Sequence, residues 1–139
     1  MPLFSDADDL YVHLGRLFQE VAADDELGAR LAAANTIMQL RLRAPDAVVT
    51  VKALEGAERQ VDLGDTTLRP EVVLAMDADS AHGLWLGTVN VTVALARGQI
   101  VARGPVANVL RLVPLVRPLG ARYRAQLEAA GREDLVEAT

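Results

Sequence analysis

The side chains that could do chemistry in this chain of 139 residues are few. Serine occurs only at Ser5 and Ser80, histidine only at His13 and His82, and cysteine is absent. A hydrolytic triad needs a nucleophile, a base and an orienting carboxylate, but both serines fall where helix caps are expected. The phosphate loop, the nucleophile elbow, the dinucleotide-binding glycine pattern and the zinc-protease motif are absent from the sequence. We therefore expect a protein that is not an enzyme.

One group of residues has the types that bind metals. Asp77, Asp79 and His82 offer oxygen and nitrogen ligands, and a spacing of three puts the last two on one helix face. A capping aspartate followed by a half-exposed histidine explains the same residues, so we expect neither a metal nor a cofactor. His13 follows Asp9 by four residues, which favours a surface ion pair over a catalytic couple.

Composition indicates a soluble domain and narrows its partners. The chain is 51% apolar and 4% aromatic, with a net charge of −5. This size and composition predict one domain over residues 1–139. An acidic chain without a basic run is not expected to bind nucleic acid or a charged lipid surface, and its contact with membranes would be transient at most. An aliphatic interior can surround a ligand and exclude water, but it has few aromatic rings on which nucleic acid bases could stack.

The same composition suggests where the protein works. Residues 1–10 carry three aspartates and no basic residue, which does not fit a secretory signal. The absence of cysteine suits a reducing compartment. We therefore expect a cytoplasmic protein. The ratio of 13 arginines to 1 lysine is typical of a bacterium with a GC-rich genome.

Hydrophobic periodicity predicts helices first and strands afterwards. A helix is expected from about 6 to 23, with Ser5 and Asp8 as its capping box, and a second helix should end near Asn35. The period then changes to two, which predicts an antiparallel meander. A segment that is apolar on both parities follows and is expected deep inside the sheet. The five predicted strands cover residues 38–43, 47–53, 60–63, 72–76 and 99–103.

The last third of the chain is predicted to be mostly helical. Gly87 should end one short helix, and Asn90 should cap another. Pro114 and Pro118 should kink or break the terminal helix because proline lacks a backbone donor. The tail from residue 131 is expected to fray. The predicted fold is α+β, with a five-stranded, mostly antiparallel sheet covered on one face by helices.

Two short helices and a proline-broken helix, all apolar, would face this sheet. They either enclose a hydrophobic cavity or complete a close-packed core, which is the commoner outcome in protein interiors. An empty void of about 300 Å³ would cost roughly 7 kcal/mol. A cavity must therefore hold ligand or water, or close by movement of its weakest wall, and the prolines make the terminal helix that wall.

The motifs in this region resemble those of the sterol carrier protein type 2 family. They are the string Ala81-His82-Gly83-Leu84-Trp85-Leu86-Gly87, then Asn90, Ala94, Gly98, Gly104-Pro105 and the run LRLVPL at 110–115. The resemblance extends from about Leu10 to Leu127. It implies a lipid-binding tunnel between sheet and helices that carries fatty acids, acyl-CoA, sterols or phospholipids, with no metal or cofactor. Pro70-Glu71 departs from the Pro-Asp that the family often has. The chain also ends in Glu-Ala-Thr rather than Ser-Lys-Leu, so we do not expect a peroxisomal setting.

The resemblance and the apolar pattern together nominate site residues. The expected lining is Trp85, Leu86, Val91, Leu95, Ile100, Val109, Leu110 and Val113. The expected gate is Leu112, Leu115, Val116 and Leu119. A polar end of the ligand could meet Arg41, Arg97 or Arg103, although solvated arginines are commoner.

The function expected from the sequence is non-catalytic binding or transport of a lipid or other hydrophobic small molecule. One alternative is an accessory subunit that presents a hydrophobic substrate to a biosynthetic enzyme. Another is a structural homodimer with a collapsed pocket, which would pair through Ile37, Val48, Val73 or Val101 on the other face of the sheet.

Overall fold

Five strands form one mixed sheet in the order β3-β2-β1-β4-β5. The computed structural model describes residues 2–137, apart from the side chain of Val106. β1 pairs with β2, β2 with β3 and β4 with β5 in antiparallel fashion, whereas β1 and β4 are parallel. The predicted α+β fold with a mostly antiparallel sheet is confirmed. The strands are β1 (Thr36–Arg43), β2 (Ala47–Ala53), β3 (Gln60–Leu63), β4 (Val72–Asp77) and β5 (Val101–Arg103).

Alternation along the strands gives the sheet one apolar face and one mixed face. On the inner face, Met38 lies opposite Val51 on β2 and Val72 on β4, and all three are buried. Val73 and Ala75 of β4 point to the outer face and are only half-buried. β4 lies inside the sheet, between β1 and β5, as predicted, but one of its faces is only half-buried, so the expectation that it is more deeply enclosed than the other strands is wrong. The half-buried apolar residues lie on the outer face, which no helix within residues 2–137 covers.

The first two helices pack on the inner face. α1 consists of an α-helical turn (Ala7–Leu10), a π-helical stretch (Tyr11–Gly15) and a second α-helical part (Arg16–Ala23), and α2 spans Asp25–Ala32. Asp6, not Ser5, caps α1, because its side chain accepts a hydrogen bond from the backbone of Asp9. The Asp9 carboxylate in turn accepts from the backbone N–H of Ser5, the residue before the cap, at 3.0 Å, so the predicted capping box of Ser5 and Asp8 is wrong.

Three short elements follow β4: α3 (Ala78–Leu86), α4 (Val91–Ala96) and β5. α3 ends as predicted at Gly87, whose φ of 95° is left-handed and favours glycine. The loop after it folds back so closely that a Cβ on Gly83 would lie 2.6 Å from the side chain of Val89. Asn90 caps α4 by accepting from the backbone N–H of Val93 at 3.0 Å.

The terminal helices are α5 (Val106–Leu112), a 3₁₀ turn (Val113–Leu115), α6 (Val116–Ala129) and α7 (Glu133–Glu137). Pro114 lies in the 3₁₀ turn, as predicted for a break. Pro118 lies in the first turn of α6, where a missing N–H costs no helical hydrogen bond, so it does not break the helix. The tail is not frayed through residue 137, because α7 buries Leu135; residues 138 and 139 lie outside those described. Within residues 2–137, no helix is both long and apolar enough to cross a membrane.

Candidate ligand-binding cleft

An apolar cleft lies between the sheet and the C-terminal helices. Leu74 of β4 and Ile100, just before β5, contribute to it from the sheet side, and Leu84 and Trp85 contribute from α3. The remaining lining comes from α4, from α5 and from the start of the next elements, namely Val91, Leu95, Val109, Leu112, Val113 and Val116. The free space is about 20 Å³, which is room for about one water molecule. The lining side chains therefore nearly fill the cleft.

The chemistry of this lining is uniform. Every lining side chain is aliphatic except that of Trp85. The indole Nε1 of Trp85 is buried and has no hydrogen-bond partner among the described residues. The ring packs edge-to-face on Phe18 of α1, with centroids 5.0 Å apart. A site of this kind supplies apolar burial, and its lining holds no acid, base or nucleophile.

The structure brings most of the nominated residues to this one cleft. Those that line it are Trp85, Val91, Leu95, Ile100, Val109, Leu112, Val113 and Val116. The other nominated residues lie elsewhere: Leu86 and Leu119 are buried in the core, Leu115 faces a groove beside α2, and Leu110 is 58% exposed. Leu74 and Leu84 were not nominated. The alternation of side chains along β4 could have identified Leu74 as a lining residue, since Leu74 shares a face of the sheet with Val72 and Met76.

His82 is a structural residue in the folded chain. It is fully buried rather than half-exposed, which corrects the expectation from its position in the sequence. Its Nε2 lies 2.7 Å from the backbone oxygen of Leu135, and its Nδ1 lies 2.8 Å from the hydroxyl of Tyr123. Because a carbonyl can only accept, Nε2 carries the proton and Nδ1 accepts from Tyr123. Burial lowers the pKa of His82 and raises that of Tyr123, so both groups are neutral.

His13 does not form the predicted surface ion pair. The ring is buried, and its Nε2 lies 3.7 Å from the carboxylate of Asp9. Arg132 lies between the two groups and donates to the Asp9 oxygen at 3.2 Å and to Nε2 of His13 at 3.1 Å. Burial and the charge of Arg132 lower the pKa of His13, so the imidazole is a neutral acceptor.

The possible metal ligands are dispersed. Asp77 forms an ion pair with Arg43 at 3.2 Å, and Asp79 accepts from the backbone N–H of Leu3 at 3.0 Å. Asp77 stands at the N-cap position of α3 but its side chain makes no cap bond. Among residues 2–137, no cluster of three or more His, Cys, Asp or Glu side chains could hold a metal ion.

Two of the three arginines considered for a polar ligand end lie on the wrong side of the sheet. Arg41 and Arg103 flank an outer-face groove over Val73, Ala75 and Val101, away from the cleft. Arg41 donates to Gln39 there at 2.6 Å, and Gln39 in turn donates to Thr50 at 3.0 Å. Such an end could therefore not reach these two arginines from the cleft. The four residues considered for dimer pairing also belong to this outer face, and Val101 is 50% exposed.

The fold and its cleft define a class: a five-stranded open-faced sheet with helices on one side and an apolar cleft between the two layers. No family model and no curated protein matches the sequence. Solved structures do match it. The sterol carrier protein domain 2 of Helicoverpa armigera has 19% identity over 81% of this chain and 89% of that chain, with a TM-score of 0.64.

Two further structures of the same fold bear on the site. A ubiquinone synthesis protein described as UbiJ-SCP2 has 17% identity over 76% of this chain and 90% of that chain, with a TM-score of 0.55. The palmitated SCP2L2 of Aedes aegypti has 20% identity over 76% of this chain and 92% of that chain, with a TM-score of 0.57. The chain therefore has the fold of sterol carrier protein 2, as its motifs predicted.

Proposed function

We propose that this protein binds a hydrophobic molecule reversibly in the cleft and releases it unchanged, as a carrier of fatty acids or similar lipids. The observation that carries the proposal is the all-aliphatic lining around Trp85, which holds no reactive group. The palmitated structure of the same fold supports a single acyl chain as the model ligand. Cytoplasmic location and a bacterial source belong to the same proposal.

The cost of an empty void favours a cleft that closes unless a ligand fills it. Opening about 300 Å³ and leaving it empty would cost roughly 7 kcal/mol, which rivals the stability of a small domain. Burying about twelve methylene groups of an acyl chain contributes roughly 10 kcal/mol at most. An acyl chain can therefore hold the cleft open, whereas an empty void cannot.

The wall that opens, in this proposal, is α5 together with the 3₁₀ turn. α5 has only seven residues and is interrupted at Pro114, so this wall lacks a continuous helical ladder. Of the gate residues, Leu112 and Val116 line the cleft and would move with the wall. Leu119 is anchored in the core, and we expect it to mark the fixed end of the movement.

A pair of variants on adjacent residues of β4 tests the site. Leu74→Phe adds bulk to the cleft, and Val73→Phe adds the same ring to the outer face of the sheet. We expect the affinity for palmitate, followed by Trp85 fluorescence, to fall at least about tenfold, or roughly 1.4 kcal/mol, in the first variant. The control should stay within about twofold. Equal loss in both variants, or an unmodified chain without bound lipid in native mass spectrometry, would refute the proposal.

The second candidate is an accessory subunit that presents a hydrophobic substrate to a biosynthetic enzyme. The similarity to the UbiJ-SCP2 structure, described as a ubiquinone synthesis protein, favours it. In that case the bound ligand should stay on the protein in the presence of acceptor vesicles. It should be consumed only when the partner enzyme is added. A third outcome, a dimer in light scattering that binds no lipid, would indicate a structural role.

A further inference from the structure

The charges of this chain are strongly segregated along the sequence. No acidic residue occurs from residue 80 to residue 127, whereas six arginines do, so this segment carries +6 and the rest carries −11. The net charge of −5 conceals this division. The basic segment contains α4, α5 and the 3₁₀ turn, which form the outer walls of the cleft.

The same walls expose large apolar side chains. Val93 on α4 is 44% exposed, Leu110 on α5 is 58% exposed, and Val113 in the 3₁₀ turn is 38% exposed while it also lines the cleft. Arg97 follows α4, and Arg111 lies within α5, where it also borders the groove beside α2. Both are exposed, and neither forms an ion pair within residues 2–137. We call Val93, Arg97, Leu110, Arg111 and Val113 the mouth surface.

The combination of exposed aliphatic groups and unpaired arginines selects one kind of partner. Two copies of this chain facing each other through this surface would bring arginines against arginines. Nucleic acid would use the arginines, but it would gain nothing from the exposed valines and leucine. An anionic bilayer uses both, since its phosphates attract arginine and its acyl region accepts apolar side chains.

We propose that the mouth surface docks reversibly on a lipid bilayer rich in anionic headgroups. Leu110 and Val113 enter the interface, and Arg97 and Arg111 contact the headgroup phosphates. This proposal rests on the proposed function in one respect. If the cleft binds a lipid, docking brings the cleft to the bilayer that supplies that lipid. A ligand then passes between bilayer and cleft without crossing bulk water.

The test uses the full chain and vesicles of phosphatidylcholine, alone or mixed with phosphatidylglycerol, with binding followed by co-sedimentation. We expect binding to the mixed vesicles only, and we expect it to weaken as the salt concentration rises because the charges are exposed. Arg111→Glu should weaken it by at least about fivefold, since each basic residue near an anionic surface contributes roughly that factor. Leu110→Asp should weaken it as well.

Matched controls lie on α1, in the acidic part of the chain. Val12 is 57% exposed, so Val12→Asp pairs with Leu110→Asp, and Arg16→Glu makes the same charge change as Arg111→Glu. Neither control should alter vesicle binding by more than about twofold. Thermal unfolding of each variant establishes that it is folded. Equal losses in controls and mouth variants would overturn the proposal, and so would binding that ignores both salt and phosphatidylglycerol.

Ligand binding is measured separately, with palmitate in solution and native mass spectrometry. A chain that takes up palmitate but ignores every vesicle overturns the docking surface and leaves the carrier function standing. A chain that binds the mixed vesicles but never palmitate supports the docking surface and overturns the carrier function.

Discussion

The two sides of this molecule are held together by different forces. On one side, α1, α3, α6 and α7 are joined by directional bonds, among them the contacts of His82 with Tyr123 and with the backbone of Leu135. On the other side, α4 and α5 contact the rest mainly through aliphatic side chains around the cleft. Directional bonds fix one arrangement, whereas aliphatic contacts allow several at similar energy. The first side is suited to be a frame and the second a movable wall.

The frame also explains why both histidines are buried and neutral. Each imidazole accepts or donates across elements that are distant in sequence: His13 meets Arg132, and His82 meets the carbonyl of Leu135. Arg122 adds a further link between α6 and the cap of α2 through Asp24, at 3.0 Å. Among residues 2–137, no polar side-chain bond joins α4 to α5, and α5 meets the sheet through one long bond, from the amide of Asn108 to the hydroxyl of Thr36 at 3.4 Å.

The largest difference between the two sides should appear when leucines are shortened. Leu17 of α1 is fully buried in the frame, and Leu112 of α5 faces the cleft. We expect Leu17→Ala to lower the free energy of unfolding by about 3 kcal/mol, in the range measured for buried leucines. Leu112→Ala should cost about half as much, because a movable wall can settle into the space that the shorter side chain leaves. Urea unfolding measures both, and equal costs would remove the distinction between frame and wall.

The next effect concerns the hydroxyl at the centre of the frame. Tyr123→Phe leaves Nδ1 of His82 buried without a donor, which should cost about 2 kcal/mol of stability. Tyr11→Phe is the matched control. The Tyr11 hydroxyl accepts from the backbone of Val48 at 3.0 Å, but it is half-buried, so water can replace it at a cost below about 1 kcal/mol. Indistinguishable unfolding curves for Tyr123→Phe and the unmodified chain would show that the bond to His82 contributes nothing.

Acid should weaken the frame before it weakens the cleft. The pKa of His82 is lowered from 6.5 by burial, so the unfolded chain takes up a proton as the pH falls through 6.5 while the folded chain does not. Stability is therefore fully present above pH 6.5 and is lost as the pH falls toward the folded pKa. The slope from this residue is at most about 1.4 kcal/mol per pH unit.

The measurement is urea unfolding across this interval, with His13→Gln as the companion variant. The pKa of His13 is also lowered, by burial and by Arg132. Removing it should reduce the pH dependence and leave the part due to His82. Stability that does not change between pH 8 and pH 5 would contradict the neutral, buried state of both rings.

The two sides of the molecule also differ in how much of their structure the sequence predicts. The sheet and some helix ends follow from local patterns, since alternation with a period of two marks β1, Gly87 marks the end of α3 and Asn90 marks the start of α4. Most residues that line the cleft could be predicted, because the aliphatic spacing and the resemblance indicate the same helices. The frame was not predicted. His82 bonds to residues 41 and 53 positions away, and only the packing of three helices brings these together.

The smallest expected effect on stability is the most specific test of the movable wall. Pro114→Ala restores a backbone donor at the break between α5 and α6, and it also frees the unfolded chain, so the two contributions oppose each other within about 1 kcal/mol. A helix that continues through residue 114 would couple the wall to α6, whose Leu119 is anchored in the core. Opening would then become slower. We expect palmitate to dissociate at least several-fold more slowly, as followed by the emission of Trp85 in stopped flow.

Pro118→Ala is the control, since that proline lies in the first turn of α6 and interrupts no helical hydrogen bonds. If both variants release palmitate at the unmodified rate, the proline break does not govern opening, and the wall must move as one piece with α6.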